Sequence, residues 1–222
     1  MSTPTKKDRI VAELRGRITR GELERGTWIR QGDLAEDFQT SITPVREALR
    51  QLQAEGLLEH TAHRGVRVAE VDPDSVKGPY LLRRLVEPYA MQRASMRMTQ
   101  ADLHGVDRLL DEMEALDAET DGLRISELNR DFHFSFYSRC GPESLVTRIE
   151  DLWDAFPWDL LRVATERIPD SRREHREMVA AVRAHDLDRI AETTALHVAN
   201  GYRSLRRHLG FPDDDPFDLL VD

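Results

Sequence analysis

The chain has 222 residues, enough for one large or two small domains, and 40% of them are hydrophobic, which supports a packed core and argues against disorder. A single cysteine, Cys140, excludes an intrachain disulfide framework, and no charged start leads into an apolar run, so a reducing cytoplasmic setting without a membrane is expected. The net charge of −9 argues against a nucleic-acid partner until it is divided, because residues 1–70 hold 12 Lys and Arg against 11 Asp and Glu, leaving 20 against 30 for the rest.

Only that first segment has the electrostatics to approach a polyanion. From Lys6 to about Arg20, Ile10, Val11, Leu14 and Ile18 recur at helical spacing and Gly21 supplies a stop, so an amphipathic helix is expected. A shorter helix is expected from Gln31 to Phe38, with Leu34, Ala35 and Phe38 on one face. After the polar turn Gln39-Thr40-Ser41-Ile42, Thr43 has the character of an N-cap and Pro44 that of a first helical residue. Val45, Ala48, Leu49 and Leu52 then form an inner face, and Gly56 ends the helix. Leu57–His60 and Val66–Val68 are strand-like, joined by a hairpin from Thr61 to Gly65. Three short helices, two of them joined by a tight turn, and then a hairpin describe a winged helix-turn-helix; an amphipathic pair that simply packs a core is the plainer alternative.

Val71–Asp74 has linker composition, with Pro73 as a breaker and Asp74 able to cap the next helix. Helical periodicity then runs to about Leu209. The expected helices are Ser75–Met96, Gln100–Ala118 capped by Thr99, Leu123–Arg139, Ser144 to about Arg167, Ser171–Ala184 capped by Asp170, and Leu187–Leu209. The expected fold is mainly α: a winged helix-turn-helix over residues 1–70, a linker over 71–74, an antiparallel bundle of about six helices over 75–210, and a solvated acidic tail over 211–222.

The run Leu34-Ala35-Glu36-Asp37-Phe38, then Ser41-Ile42-Thr43-Pro44-Val45-Arg46-Glu47-Ala48-Leu49, then Glu55-Gly56-Leu57-Leu58, closely resembles the GntR family of regulators. The family's usual form places an arginine between the serine and the threonine; this chain has Ile42 there. The resemblance implies double-stranded operator DNA as partner, with the N-terminal half of the third helix entering the major groove. Ser41 and Thr43 can donate to phosphates beside free backbone amides, and Arg46 and Arg50, one turn apart, are candidates for phosphate or guanine contacts. Glu47 is more simply a surface residue. The wing tip His63-Arg64-Gly65 suits a groove edge, a solvated hairpin being the alternative for His63. Ile42 offers only apolar contact, for instance to a thymine methyl, while Gln39 stands where glycine is usual and Gly32 where a polar side chain is frequent. An operator half-site with an altered central contact is therefore expected.

Asn129 and His133, four residues apart, share a helix face, and His175 and His197 lie on two further helices. Three imidazoles converging in a bundle with one oxygen ligand would suit zinc or another first-row divalent ion; satisfied core or surface histidines are the alternative. In order and spacing, Asn129-Arg130-Asp131-Phe132-His133, Glu174-His175-Arg176-Glu177 and Leu196-His197 resemble the metal-binding motifs of the FCD domain, the sensory half of the FadR-like GntR subfamily. The two resemblances together span nearly the whole chain. They imply a divalent metal, zinc first with nickel or manganese as alternatives, held by Asn129, His133, His175 and His197. Asn129 stands where aspartate is usual and brings a carbonyl oxygen without charge, so weaker binding is expected. Asp131 should point to another face, and His60, His63, His104, His185 and His208 are expected at the surface.

Arg83 and Glu87, four residues apart, match a family pattern that has two readings. One is a structural helix pair, and the other has Arg83 reaching into the pocket to pair with a carboxylate effector, with Arg84 on the surface. The implied effector is a small organic acid bridging the metal and Arg83. Family resemblance and the logic of palindromic operators imply a homodimer. A regulator is thus the expected function, not an enzyme. A hydrolytic metalloenzyme would need a general base, and Glu174 and Glu177 beside His175 make no convincing one. A protein-interaction adaptor is disfavoured by Thr43, Arg46, Arg50 and the basic wing.

Overall fold

The computed structural model describes residues 5–61, 64–154, 165–211 and 216–217. Backbone contacts divide the chain into two units, Met1–Val71 and Asp72–Asp222.

In the first unit, α1 (Lys6–Thr19) opens on a capping box: the Thr5 hydroxyl accepts the Asp8 N–H, and the Asp8 carboxylate accepts the Thr5 N–H at 3.0 Å. Next in the chain are β1 (Trp28–Ile29), α2 (Gln31–Asp37), α3 (Ile42–Ala54), β2 (Leu58–Thr61) and β3 (Gly65–Val68). The three strands form an antiparallel sheet with β3 in the centre, Arg67 lying opposite both Trp28 and Glu59. β1 is absent from the sequence expectation because two residues are too short to display alternation. Ile10, Leu14 and Ile18 of α1 close on Val45, Leu49 and Leu52 of α3 and on Leu58 and Val68 of the sheet. Each such fully buried aliphatic side chain contributes about 1.5–3 kcal/mol, so this face sets how α1 and α3 pack.

The helix-turn-helix differs from expectation at the cap of its second helix. The cap of α3 is Ser41, in extended backbone, so that Thr43 and Pro44 fall inside the first turn. Pro44 is tolerated there because first-turn amides have no intrahelical acceptor to lose. Gln39 occupies the left-handed region at φ +47°, the conformation that explains glycine's usual place in this turn.

The second unit comprises α4 (Pro73–Ser95), α5 (Gln100–Ala115), α6 (Gly122–Tyr137), α7 (Glu143–Asp154), a 3-10 turn (Thr165–Arg167), α8 (Ile168–Arg183) and α9 (Leu187–His208). Helices α4 and α9 pack along one another, and α5 lies against α6 and α8. Leu128, Phe132 and Phe136 of α6, Trp153 of α7 and Met178 and Val182 of α8 share one core. Pro79 and Pro88 lie inside α4, each removing a backbone hydrogen bond, yet the helix is continuous because Tyr80, Ala90, Met91 and Ala94 are buried along it.

Several boundaries shift from expectation. Pro73 begins α4 instead of breaking a linker, since its fixed φ and missing N–H suit a first helical position. α8 begins at Ile168, so Asp170 sits in its first turn and does not cap it. The long helix expected from Ser144 ends at Asp154 within the described residues, and the next described element is the 3-10 turn. The tail is not wholly solvated: Pro216 and Phe217 are buried, Phe217 packing edge-on against Tyr202 with ring centres 5.5 Å apart. Residues 212–215 and 218–222 lie outside the described residues. Arg84, expected at the surface, is half-buried, with its guanidinium 5.1 Å from the centre of the Phe217 ring. Among the described residues no helix is long and apolar enough to cross a membrane.

Candidate functional site

Helix α3 presents Ser41, Ile42, Thr43, Arg46, Glu47 and Arg50 as exposed residues on the side opposite its buried face. Arg46 is braced, its Nε donating to Gln31 Oε1 of α2 at 2.9 Å. Glu47 makes no ion pair among the described residues. In the wing, Arg64 and Gly65 are exposed, and Gly65 has φ +104°, which a side chain would strain. His63 lies outside the described residues. Arg67, the other cation of the wing, is committed elsewhere: it pairs with Glu59 and lies over the Trp28 ring. Of the other histidines expected at the surface, His60, His104, His185 and His208 are exposed, as is Asp131.

In the second unit, His133 of α6, His175 of α8 and His197 of α9 are buried, and one nitrogen from each falls in a group spanning no more than 4.8 Å. The Nε2 atoms of His133 and His175 are 3.2 Å apart. Two nitrogens on one tetrahedral ion, each bonded at about 2.0–2.1 Å, stand about 3.3 Å apart, so the spacing matches a shared ion. Asn129, one turn before His133, is half-buried and lines the same pocket.

The groups behind the imidazoles decide which nitrogen faces inward. Tyr137 donates its one hydroxyl hydrogen to Glu87 Oε2 at 2.8 Å, so toward His133 Nδ1, 3.1 Å away, its oxygen can only accept. His133 therefore carries its proton on Nδ1 and offers the Nε2 lone pair. His197 Nδ1 donates to Glu174 Oε2 at 2.8 Å with the same result. A carboxylate or its relay behind a ligating histidine is the common arrangement at metal sites. His175 Nδ1 is buried without a partner among the described residues.

Burial, reinforced by the neighbouring imidazoles, holds His133 and His175 well below the ordinary histidine range, in the neutral form that binds metals. His197 is also lowered by burial, against the pull of Glu174. Burial opposes ionisation of Glu174, but hydrogen bonds and charge from His197 and Arg167 outweigh it and hold the carboxyl at about 2.

The pocket around these histidines has a volume of about 80 Å³. Arg83 lines it and at the same time donates through Nε to Glu87 Oε1 at 2.6 Å, its guanidinium 4.6 Å from the centre of the Trp153 ring. The helix pair read from the Arg83–Glu87 spacing is thus present, and Arg83 reaches the pocket wall as well. Glu87, fully buried, also accepts from Trp153 Nε1 at 2.7 Å. Sequence reasoning missed Glu87 as a hub, Tyr137 and Trp153 as its partners, and Arg167. Tyr137 carried a usable signal, standing four residues after His133 on one helix face. Glu174 was weighed only as a neighbour of His175, whereas its partner is His197, a contact set by helix packing.

A winged helix-turn-helix joined to a helical unit with a buried histidine-lined pocket defines a two-part DNA-binding protein. The family model described as "Bacterial regulatory proteins, gntR family" matches residues 6–68, and the FCD domain model matches residues 80–200. The chain belongs to the GntR family of transcriptional regulators, in the group that carries an FCD domain. It is 29% identical to the HTH-type transcriptional repressor GlaR of Escherichia coli (strain K12) over 195 residues, covering 83% of this chain and 89% of GlaR. It is 28% identical to the regulator McbR of the same strain over 203 residues, covering 88% of this chain and 92% of McbR. Among solved structures, Escherichia coli McbR/YncC shares the fold with a TM-score of 0.71 at 23% identity, covering 93% of this chain and 100% of that one. A putative GntR regulator from Rhodococcus sp. RHA1 has a TM-score of 0.74 at 19% identity, covering 92% and 98%. These named relatives are regulators, not enzymes.

Proposed function

We propose that this regulator binds operator DNA as a homodimer, and that a small organic acid bound beside a divalent metal in the helical domain sets its affinity for that DNA. The observation that carries the reading is the convergence of His133, His175 and His197, with the Nε2 lone pairs of His133 and His197 left free by Tyr137 and Glu174. His133, His175 and His197 would hold the ion with Asn129 as oxygen ligand; this donor set suits zinc, with nickel or manganese as alternatives. When bound, the ion supplies a Lewis-acidic position for an anionic oxygen. Arg83 adds positive potential from the pocket wall.

On the DNA side, Ser41, Thr43 and the first-turn amides of α3 serve phosphates, Arg46 and Arg50 serve phosphates or guanine edges, and the wing residues His63, Arg64 and Gly65 track the groove edge. Dimerisation is supported by α4, which exposes Leu82, Leu85 and Tyr89 at helical spacing; such a stripe is suited to burial against a second copy. Repression is the mode named for GlaR and for the galactonate operon repressor of Escherichia coli, a 25% identical relative, and is the mode proposed for this chain.

A thermal-shift screen of small carboxylates on the full chain, with zinc and with chelator, tests the reading. An acid that raises Tm with zinc and alters retention of operator DNA supports it. If no acid both stabilises the zinc-loaded protein and changes DNA binding, the reading is wrong.

A further inference from the structure

We infer that the pocket selects a short acid with two anionic groups, that Arg167 holds one of them, and that Asn129 sharpens the preference for the second charge. The inference rests on the metal reading above for the other anionic group, while the part played by Arg167 can be read without metal.

Arg167 sits in the 3-10 turn before α8, lines the pocket, and is 8% exposed. Its Nη2 pairs with Glu174, but Nε and Nη1 are buried with no acceptor among the described residues. Glu174 is itself divided, accepting from His197 and, at 2.8 Å, from Asn200 Nδ2. Buried donors without acceptors are rare in folded proteins, and a guanidinium with two of them in a cavity wall is suited to receive carboxylate or phosphate oxygens.

The charge balance then favours a dianion. Three guanidiniums, those of Arg83, Arg167 and Arg172, line the pocket, and no carboxylate does among the described lining residues. Arg83 is offset by Glu87 and Arg167 by Glu174. Arg172 spends Nη2 on the carbonyls of Met113 and Leu116, at 2.6 and 2.9 Å, and feels Glu114 and Asp117 through space without an ion pair to either among the described residues. The charge of Arg172 is the least compensated of the three, and a divalent ion adds two more, against ligands that are all neutral. An aspartate at position 129 would cancel one of these charges; Asn129 leaves it to the ligand. Buried charge needs a partner, so a second anionic group on the ligand is worth more here than beside an aspartate. The cavity of about 80 Å³ restricts the acid to a short chain.

The test is isothermal titration of the full chain with malonate against propionate and succinate against butyrate, each on chelator-treated and zinc-reloaded protein. Wild type should bind one diacid about tenfold or more tighter than its monoacid. Arg167→Gln should remove most of that preference in both metal states, and Arg167→Lys should restore part of it. Asn129→Asp should narrow the preference in the zinc-loaded protein only. Circular dichroism checks that each variant folds; if Arg167→Gln does not, Arg167→Lys and Asn129→Asp carry the test. Equal binding of diacids and monoacids by wild type, a preference that survives Arg167→Gln, or an Asn129→Asp preference as wide as wild type in zinc overturns the inference. If the protein takes up no zinc, the metal reading fails by itself, and loss of diacid preference in chelator-treated Arg167→Gln still decides the role of Arg167.

Discussion

The Tyr137 hydroxyl donates to Glu87 Oε2 at 2.8 Å, and through this one hydrogen bond a carboxylate on α4 determines which nitrogen of His133 on α6 carries a proton. Glu87 tolerates complete burial because Arg83, Tyr137 and Trp153 all donate to it. Arg83 lines the pocket and His133 belongs to the histidine cluster, so Glu87 connects the two, directly to Arg83 and through the Tyr137 hydroxyl to His133.

Tyr137→Phe should therefore weaken metal affinity by about 10–100-fold, as expected for loss of an orienting partner. It should also cost about 1–3 kcal/mol of stability through the unpaired Glu87 oxygen. Competition against a chromophoric chelator measures the first and denaturant unfolding the second. Nitrogen-15 spectra of metal-free wild type should show His133 protonated at Nδ1, a signature that Tyr137→Phe abolishes. An unchanged His133 spectrum in the variant would refute the relay.

Asp102 gives a pH prediction. It accepts from the Thr99 hydroxyl and amide and from Arg139 Nη2, and these hydrogen bonds, those of Thr99 foremost, lower its pKa. A carboxyl lower in the folded than in the unfolded state contributes stability that is complete above the unfolded value of 3.8 and disappears as pH falls through the folded one. Asp102→Asn should be less stable than wild type at pH 7, and the two stability curves should converge below pH 3.8. A gap of constant size down to acid would show that ionisation of Asp102 is not the cause.

Gln39 stores backbone strain at φ +47°. Left-handed backbone costs an L-residue about 1–2 kcal/mol, and glycine's greater unfolded freedom returns about 0.5–1 kcal/mol of that. Gln39→Gly should raise stability by up to about 1 kcal/mol, read from the urea midpoint at unchanged m-value. A destabilised variant would mean that the Gln39 side chain contributes more than its strain costs.

Arg46→Ala should lower DNA affinity and reduce the slope of log affinity against log salt by about one, as for loss of one phosphate contact. Loss of affinity at unchanged slope would instead move Arg46 to base readout. Ile42→Arg should change the preferred half-site in selection from random DNA; recovery of the same sites with either residue would show that this position reads no base.

The helices of the reading head were legible because Ile10, Leu14, Val45, Leu49 and Leu52 bury a single periodic face each, and periodicity is local information. The three histidines were legible by motif. The cap of α3 was misplaced because Thr43 and Ser41 are both cap-forming residues two positions apart, and only backbone geometry chooses between them. β1 escaped because its pairing with β3 is tertiary. Arg167, Glu87 and Glu174 were not legible as a site because charged residues in helical sequences are presumed solvated until packing shows where they end. The burial of Phe217 beneath Arg84 has the same origin, an aromatic in a sequence otherwise fit for solvent.

Metal binding by His133, His175 and His197 underlies every step proposed for the helical domain. The direct measurement is elemental analysis of protein stripped with chelator, reloaded with zinc and desalted, for wild type and the His175→Ala/His197→Ala double variant. Wild type should hold one zinc per chain and the folded double variant none. Wild-type protein that retains no metal, or a double variant that retains it in full, would contradict this.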